Sequence, residues 1–335
     1  MYPPVSPHDS GMLTVGPSLE LYWETSGNPE GIPVLYLHGG PGGILRPGYR
    51  RHFDPSKYLI VGLQQRGAGR STPADASPER LVEGTDTVRL VADIEAVREH
   101  LGIDSWLVSG VSWGCTLAFH YALAHRDRVR GLVLVAVTTT GPDEVAWITE
   151  GVGMLYPEAW QQLAGVVATH SDWEPGKGRL VDAVARIMVS AGPEARTEMA
   201  LAWMDWEQTH IQIGLPLDQL RPVQVGDEPI AQQIGFTTLV SHYWSRHAAL
   251  DPQWLPDGPL LGRLAPLEGL PLCMVHGRRD VSGPVAVPWA VKAELPGAQL
   301  HVVEAEGHGG EHMMELWRRA TDSFAVSGDF QLVPA

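Results

Sequence analysis

Five residues, Gly110-Val111-Ser112-Trp113-Gly114, most constrain how this chain can fold, because they stand between an apolar run, Trp106-Leu107-Val108-Ser109, and a helix-like stretch, Thr116 to Ala124. A strand that passes into a helix through G-x-S-x-G carries its serine on a sharp turn above the sheet edge. Glycines two residues either side let the backbone crowd there without a Cβ clash. The same turn aims the Trp113 amide and the start of the following helix at the place where an oxyanion would form. A bare Gly/Ser-rich loop is the competing reading, so the flanking pattern and the downstream residues have to decide.

The flanking pattern is strand-helix alternation. Leu19 to Thr25, Pro33 to Leu37 and Tyr58 to Leu63 read as strands. Thr87 to Leu101 reads as a helix with apolar residues at Val88, Val91, Ile94, Val97 and Leu101. Trp106 to Ser109 and Val129 to Ala136 continue the series, the second as an unbroken apolar run of the kind buried on both faces of a parallel sheet. After a long middle segment the alternation resumes with Leu272 to His276, a helix near Val285 to Leu295, Gln299 to Val303 and a last helix near Glu311 to Ala325. The expected fold is α/β, a mostly parallel, doubly wound sheet with helices on both faces.

The middle is rich in Trp and Gln, helical in pattern and broken by Pro and Gly. Residues 1–138 and 267–335 are therefore expected to form the two parts of one core, and 139–266 a helical cap over the strand ends, with a dimerisation domain as the other reading.

A serine hydroxyl needs a base to take its proton and a third group to fix that base. Asp280 lies just past the strand Leu272 to His276, and His308 just past Gln299 to Val303 between two glycines, so both land on the same sheet edge as Ser112. The order Ser, Asp, His is that of α/β-hydrolases. Fourteen histidines are present, so position rather than type singles out His308. His38 opens the loop His38-Gly39-Gly40-Pro41-Gly42-Gly43 and is expected to anchor it by hydrogen bonds. That loop follows a strand where a second oxyanion donor belongs, and it lacks the Lys-Ser/Thr ending of a phosphate loop.

Together these segments resemble the proline iminopeptidases of the α/β-hydrolase superfamily. The resemblance runs over nearly the whole chain and adds Gln65-Arg66-Gly67-Ala68-Gly69-Arg70-Ser71 and Val275-His276-Gly277-Arg278 to the motifs above. It implies Ser112 as nucleophile, Asp280 as orienting acid, His308 as base, and the Gly40 and Trp113 amides as the oxyanion hole. It also implies carboxylates from the cap that bind the substrate's free amine. Trp203-Met204-Asp205-Trp206-Glu207 resembles the first such motif, with Trp203, Trp206 and Glu207 on one helical face, or else with the tryptophans as cap core and Glu207 in solvent. His242-Tyr243-Trp244 matches the second, but Val240 stands where the family has glutamate, and Gln64 where it has aspartate. Asp205 and Glu150 are candidates to compensate. One carboxylate balances a buried cation less well than two.

A formal net charge of -15 argues against nucleic-acid and membrane partners. With two cysteines and no signal-like start, the chain is expected to be cytoplasmic. The expected partner is a small molecule or short peptide in an apolar pocket, and no cofactor or metal is expected. The leading reading is a serine hydrolase that forms an acyl-enzyme on Ser112 and, as the resemblance implies, cleaves an N-terminal proline or a related small amide or ester. Alternatives are a specialised-metabolism hydrolase, acyltransferase or cyclase that uses the same three residues on a non-peptide substrate, and a non-catalytic ligand-binding protein.

Overall fold

The computed structural model describes residues 1–16, 19–73, 76–213 and 229–330. The strands are β1 (Asp9–Gly16), β2 (Leu19–Gly27), β3 (Ile32–Leu37), β4 (Tyr58–Leu63), β5 (Trp106–Val111), β6 (Val129–Val135), β7 (Leu272–Gly277) and β8 (Gln299–Val303). Among the described residues these eight form one sheet in the order β1-β2-β4-β3-β5-β6-β7-β8. From β4 onward every neighbouring pair is parallel. The first two strands run antiparallel.

Period-two alternation divides the strand side chains between two apolar layers. On β6, Leu132 and Leu134 face one layer and Val133 and Val135 the other. The first layer is closed by helices α2 (Thr87–His100), α3 (Trp113–Ala124) and α9 (Ala286–Glu294), through Ile94, Leu117 and Val291. The second is closed by α10 (Glu311–Ser327), through Met313, Trp317 and Phe324. A short helix, α1 (Pro78–Val82), precedes α2. The doubly wound α/β expectation holds, because each central strand is apolar on both faces and each face needs a covering helix.

Between β6 and β7 the chain leaves the sheet for α4 (Pro142–Thr149), α5 (Pro157–His170), α6 (Leu180–Ser190), α7 (Pro193–Ile211) and α8 (Ile230–Ala248). These helices gather an apolar cluster of their own, including Val167, Val184, Trp203, Trp206 and Trp244. Four of the five begin at or next to a proline, whose missing N–H costs nothing at the first helical turn.

One strand was not among those expected, and one local expectation needs correction. The N-terminal stretch includes an edge strand, β1, which the polar, Gly-containing sequence hides because only Leu13 and Val15 pack inward. In α2, Val88 is exposed and Leu90 is buried. Asp86 caps the Arg89 amide at 2.6 Å and sets the helix phase so that Leu90, Val91, Ile94 and Val97 form the inward stripe. Among the described residues no helix is long and apolar enough to cross a membrane.

Candidate active site

Ser112 stands between β5 and α3 with φ 56 and ψ -126, a backbone conformation that most side chains avoid. The two flanking glycines make this turn possible. A Cβ on Gly110 would collide with the Gly114 carbonyl, and one on Gly114 with the Leu37 carbonyl at the end of β3. The Thr138 hydroxyl donates to the Ser112 carbonyl at 3.1 Å, tying the turn to the segment after β6.

Asp280 and His308 come from the loops after β7 and β8. His308 Nδ1–H donates to Asp280 Oδ2 at 2.8 Å, and Ser112 Oγ lies 3.1 Å from His308 Nε2. Asp280 is held by the amides of Ser282 and Gly283, each donating to Oδ1 at 3.0 Å. Burial opposes ionisation of Asp280, but His308, His276 and the Gly283 amide more than offset it and keep the carboxyl below its ordinary range. Burial likewise opposes charging His308, yet Asp280, with a smaller contribution from Glu207, holds it above its ordinary value. The backbone lets these loops touch only because of glycine. A Cβ on Gly277 would strike the Gly307 carbonyl, and one on Gly307 the carbonyl of Ile213. The arrangement can accept a serine proton on a base whose tautomer is fixed.

The loop after β3 passes over Ser112, with Gly39 close enough that a Cβ would lie 3.2 Å from the serine Cβ. Gly40 has φ +121, open to glycine alone. Trp113 opens α3, so its N–H has no acceptor within the helix. Gln65 links the two segments. Its side-chain amide donates to the His38 carbonyl at 2.8 Å while its oxygen accepts from Trp113 Nε1 at 3.1 Å. His38 anchors the loop from beneath, with Nδ1–H donating to the Gly39 carbonyl at 2.9 Å and Nε2 accepting from the Gln65 amide at 3.1 Å. Burial pushes His38 down to about 4, so it stays neutral. Gln64 fits this tautomer: its Nε2 donates to His38 Nε2 at 3.0 Å and to the Gly43 carbonyl at 2.9 Å, which a carboxylate could not do.

Above Ser112 and His308 is a cavity of about 520 Å³. Val111, Val145, Ile148, Ile211, Phe236 and Trp244 supply its apolar wall. Among the described residues its acidic groups are Glu207 from α7 and Glu144 from α4. Trp203 Nε1 donates to Glu207 at 3.1 Å, and His210 Nε2 is 3.9 Å from the same carboxylate. Burial lifts Glu207 to about 7, against the smaller pull of His308 and Trp203. His210 is driven down to about 3 by burial and gives Glu207 no positive charge at neutral pH. Glu144, raised by burial, is occupied by the amides of Thr139 at 3.0 Å and Gly141 at 3.1 Å.

The family described as alpha/beta hydrolase fold matches residues 32–172. A Neisseria meningitidis serogroup B protein named proline iminopeptidase is 38% identical over 311 residues, 92% of this chain and 93% of its own. A Streptomyces coelicolor protein named "Probable proline iminopeptidase" is 38% identical over 329 residues, 98% of each chain. The chain belongs to the proline iminopeptidase family. An esterase structure from Exiguobacterium antarcticum, at 21% identity, covers 92% of this chain and 96% of its own with a TM-score of 0.56, which speaks for the fold alone. As an iminopeptidase-family protein it is a hydrolase of α/β-hydrolase fold.

Within this family member the cap residues singled out from sequence divide. Glu207 lines the cavity. Trp203 and Trp206 are buried behind it, Trp203 hydrogen-bonded to Glu207 and Trp206 donating to the Ile148 carbonyl at 3.0 Å. His242 and Tyr243, expected at the substrate, do not line the cavity: His242 faces a surface groove beside Arg246, and Tyr243 packs on the back of Trp113. Their neighbour Trp244 takes the place on the wall, because α8 turns that face inward. Val240 is fully buried in the cap cluster. Neither carboxylate offered as compensation reaches the cavity, since Asp205 lines a separate groove and Glu150 accepts from the Leu180 amide at 3.1 Å. Glu144, His210, Ser282 and Arg46 also line the site and were not picked out from sequence. His210 had a signal, three residues after Glu207 on one helix face, and Glu144 had another, as an acid in the first turn after Gly141-Pro142.

Proposed function

We propose that this chain is an aminopeptidase that removes an N-terminal proline, or a residue of similar size, from a short peptide or arylamide through an acyl-enzyme on Ser112. Residues 139–266 serve as its cap. The observation that carries this reading is Glu207: a carboxylate on the wall of the cavity above Ser112, with Trp203 and a neutral His210 as neighbours. A carboxylate so placed is compensated by a cation arriving with the substrate, and a free α-amine is such a cation.

In the proposed reaction Ser112 Oγ bonds to the carbonyl carbon as its proton passes to His308 Nε2. The amides of Gly40 and Trp113 receive the oxyanion. The C–N bond then breaks and His308 returns the proton to the leaving nitrogen. Water repeats the sequence on the ester, giving free proline and the original serine. Free, buried Cys115 and Cys273 suit a reducing, cytoplasmic setting.

Comparison of a proline arylamide with its N-acetylated counterpart tests the reading. Acetylation removes the cation and leaves Glu207 unmatched, so kcat/KM is expected to fall by at least about 30-fold. Equal rates on the two substrates would refute amine recognition.

The pH profile gives a second check. On a small neutral ester, kcat/KM is expected to rise with pH through a midpoint above 6.5, since His308 is held above its ordinary value and must be neutral to act. Glu207 contributes to that elevation, so in Glu207→Gln the midpoint moves to lower pH. A midpoint that stays put would separate Glu207 from His308.

A further inference from the structure

His210 lines the cavity but takes no part in the attack on the carbonyl. The residue is 1% exposed, and among the described residues no group hydrogen-bonds to its Nε2. The ring is nevertheless fixed. Its Nδ1 lies 2.7 Å from Ser282 Oγ, and Trp206 meets it edge to face with centroids 5.4 Å apart. The Ser282 amide also donates to Asp280 Oδ1 at 3.0 Å, so the imidazole is anchored to the loop that carries the acid. A buried polar atom without a partner is destabilising, and a ligand that supplies the partner relieves the cost.

The position of Nε2 says what that partner is. It stands 3.9 Å from a Glu207 carboxylate oxygen. Two acceptors served by one tetrahedral nitrogen, each at about 2.9 Å, stand about 4.7 Å apart, so the pair is close to that spacing. With Nδ1–H donating to Ser282 Oγ, Nε2 presents a lone pair. The reverse tautomer would aim an N–H at Glu207 from beyond hydrogen-bond reach. Burial drives His210 down to about 3, so the ring carries no charge to repel a cation.

We propose that Glu207 and His210 together form the amine subsite, the carboxylate taking the charge and one N–H of the substrate ammonium while His210 Nε2 accepts a second N–H. The inference rests on the aminopeptidase reading and sharpens its substrate class. Primary and secondary α-amines, which carry at least two N–H groups when protonated, are accepted, and tertiary amines of the same charge are rejected. Val240, where the family has glutamate, is buried in the cap cluster and brings no polar atom to the cavity. The imidazole meets the second N–H without a second buried charge.

The test compares proline arylamide with N-methylproline arylamide, which keeps the cation and loses one N–H, on the native protein, His210→Leu and His210→Phe. Each rate is divided by that on a small neutral ester, which factors out any disturbance passed to Asp280 through Ser282. The native protein is expected to prefer the unmethylated substrate by about 30-fold in kcat/KM. In the two variants, which differ in shape and both lack the acceptor, the preference is expected to fall to about threefold or less. Absence of a preference in the native protein overturns the proposal. Its survival at full size in either variant does so too, because a clash with the methyl group, not a missing bond, would then be its cause. Proline arylamide turnover without the expected preference removes this inference alone, whereas ester turnover with neither arylamide cleaved removes the aminopeptidase reading with it.

Discussion

Ser112→Ala is expected to lower kcat for a proline arylamide by about 10⁵- to 10⁶-fold, the scale set by removing the nucleophile from other serine hydrolases. Alanine retains the Trp113 amide and the glycine loop, so substrate binding changes little and the loss falls in kcat. The measurement is initial rate against substrate concentration for both proteins, with trace contamination excluded by titrating the native enzyme's active serine. The fold tolerates the change. Ser112 makes its side-chain contact with His308, and alanine is no worse than serine at the positive φ of the turn. A variant that kept even a hundredth of native activity would show that another group attacks the substrate.

Glu207→Gln is expected to reduce kcat/KM for the same arylamide by about 10²- to 10³-fold, as removal of one member of a buried charge pair does. It should also change stability, in the opposite sense. The carboxyl titrates near 7 in the folded protein against an ordinary 4.5. Its protonated form is therefore the one the fold favours: the contribution is intact below about pH 4.5 and is lost as pH rises through about 7. With about 1.4 kcal/mol for each pH unit of displacement, the loss reaches up to about 3 kcal/mol at pH 8. Glutamine cannot ionise and avoids it. Urea unfolding is expected to find the variant equal to the native protein near pH 4.5 and more stable than it at pH 8, with a bound amine closing the gap. Equal stability at both pH values would mean that Glu207 is solvated rather than held among apolar neighbours.

Ser112, Asp280 and His308 were legible because the physics that places them is local. Each follows an apolar strand, the strands are parallel, and parallel strands deliver their ends to one edge. The glycine loop was legible for the same reason, and Gln64 in part, as a departure whose geometric use the sequence did not disclose. The cavity wall was not legible. Glu144, Arg46, Ser282 and His210 reach one space from four separate stretches of chain, and no spacing within any one stretch encodes that meeting. His242 and Tyr243 illustrate the limit on α8, where one residue is a rotation of 100° and suffices to exchange Tyr243 for Trp244 on the cavity wall. The edge strand β1 was hidden by its single inward-facing row, and Val88 by a helix whose phase depends on the Asp86 cap.

The groups proposed to react all stand on the sheet edge, while Glu207, the carboxylate proposed to meet the amine, rides on α7, inside the excursion between β6 and β7. Ancestry can therefore act on the two separately. Substitutions that shift α7 retune which molecules are accepted without disturbing the attack itself, so a lineage carrying this scaffold can change diet while inheriting its chemistry whole.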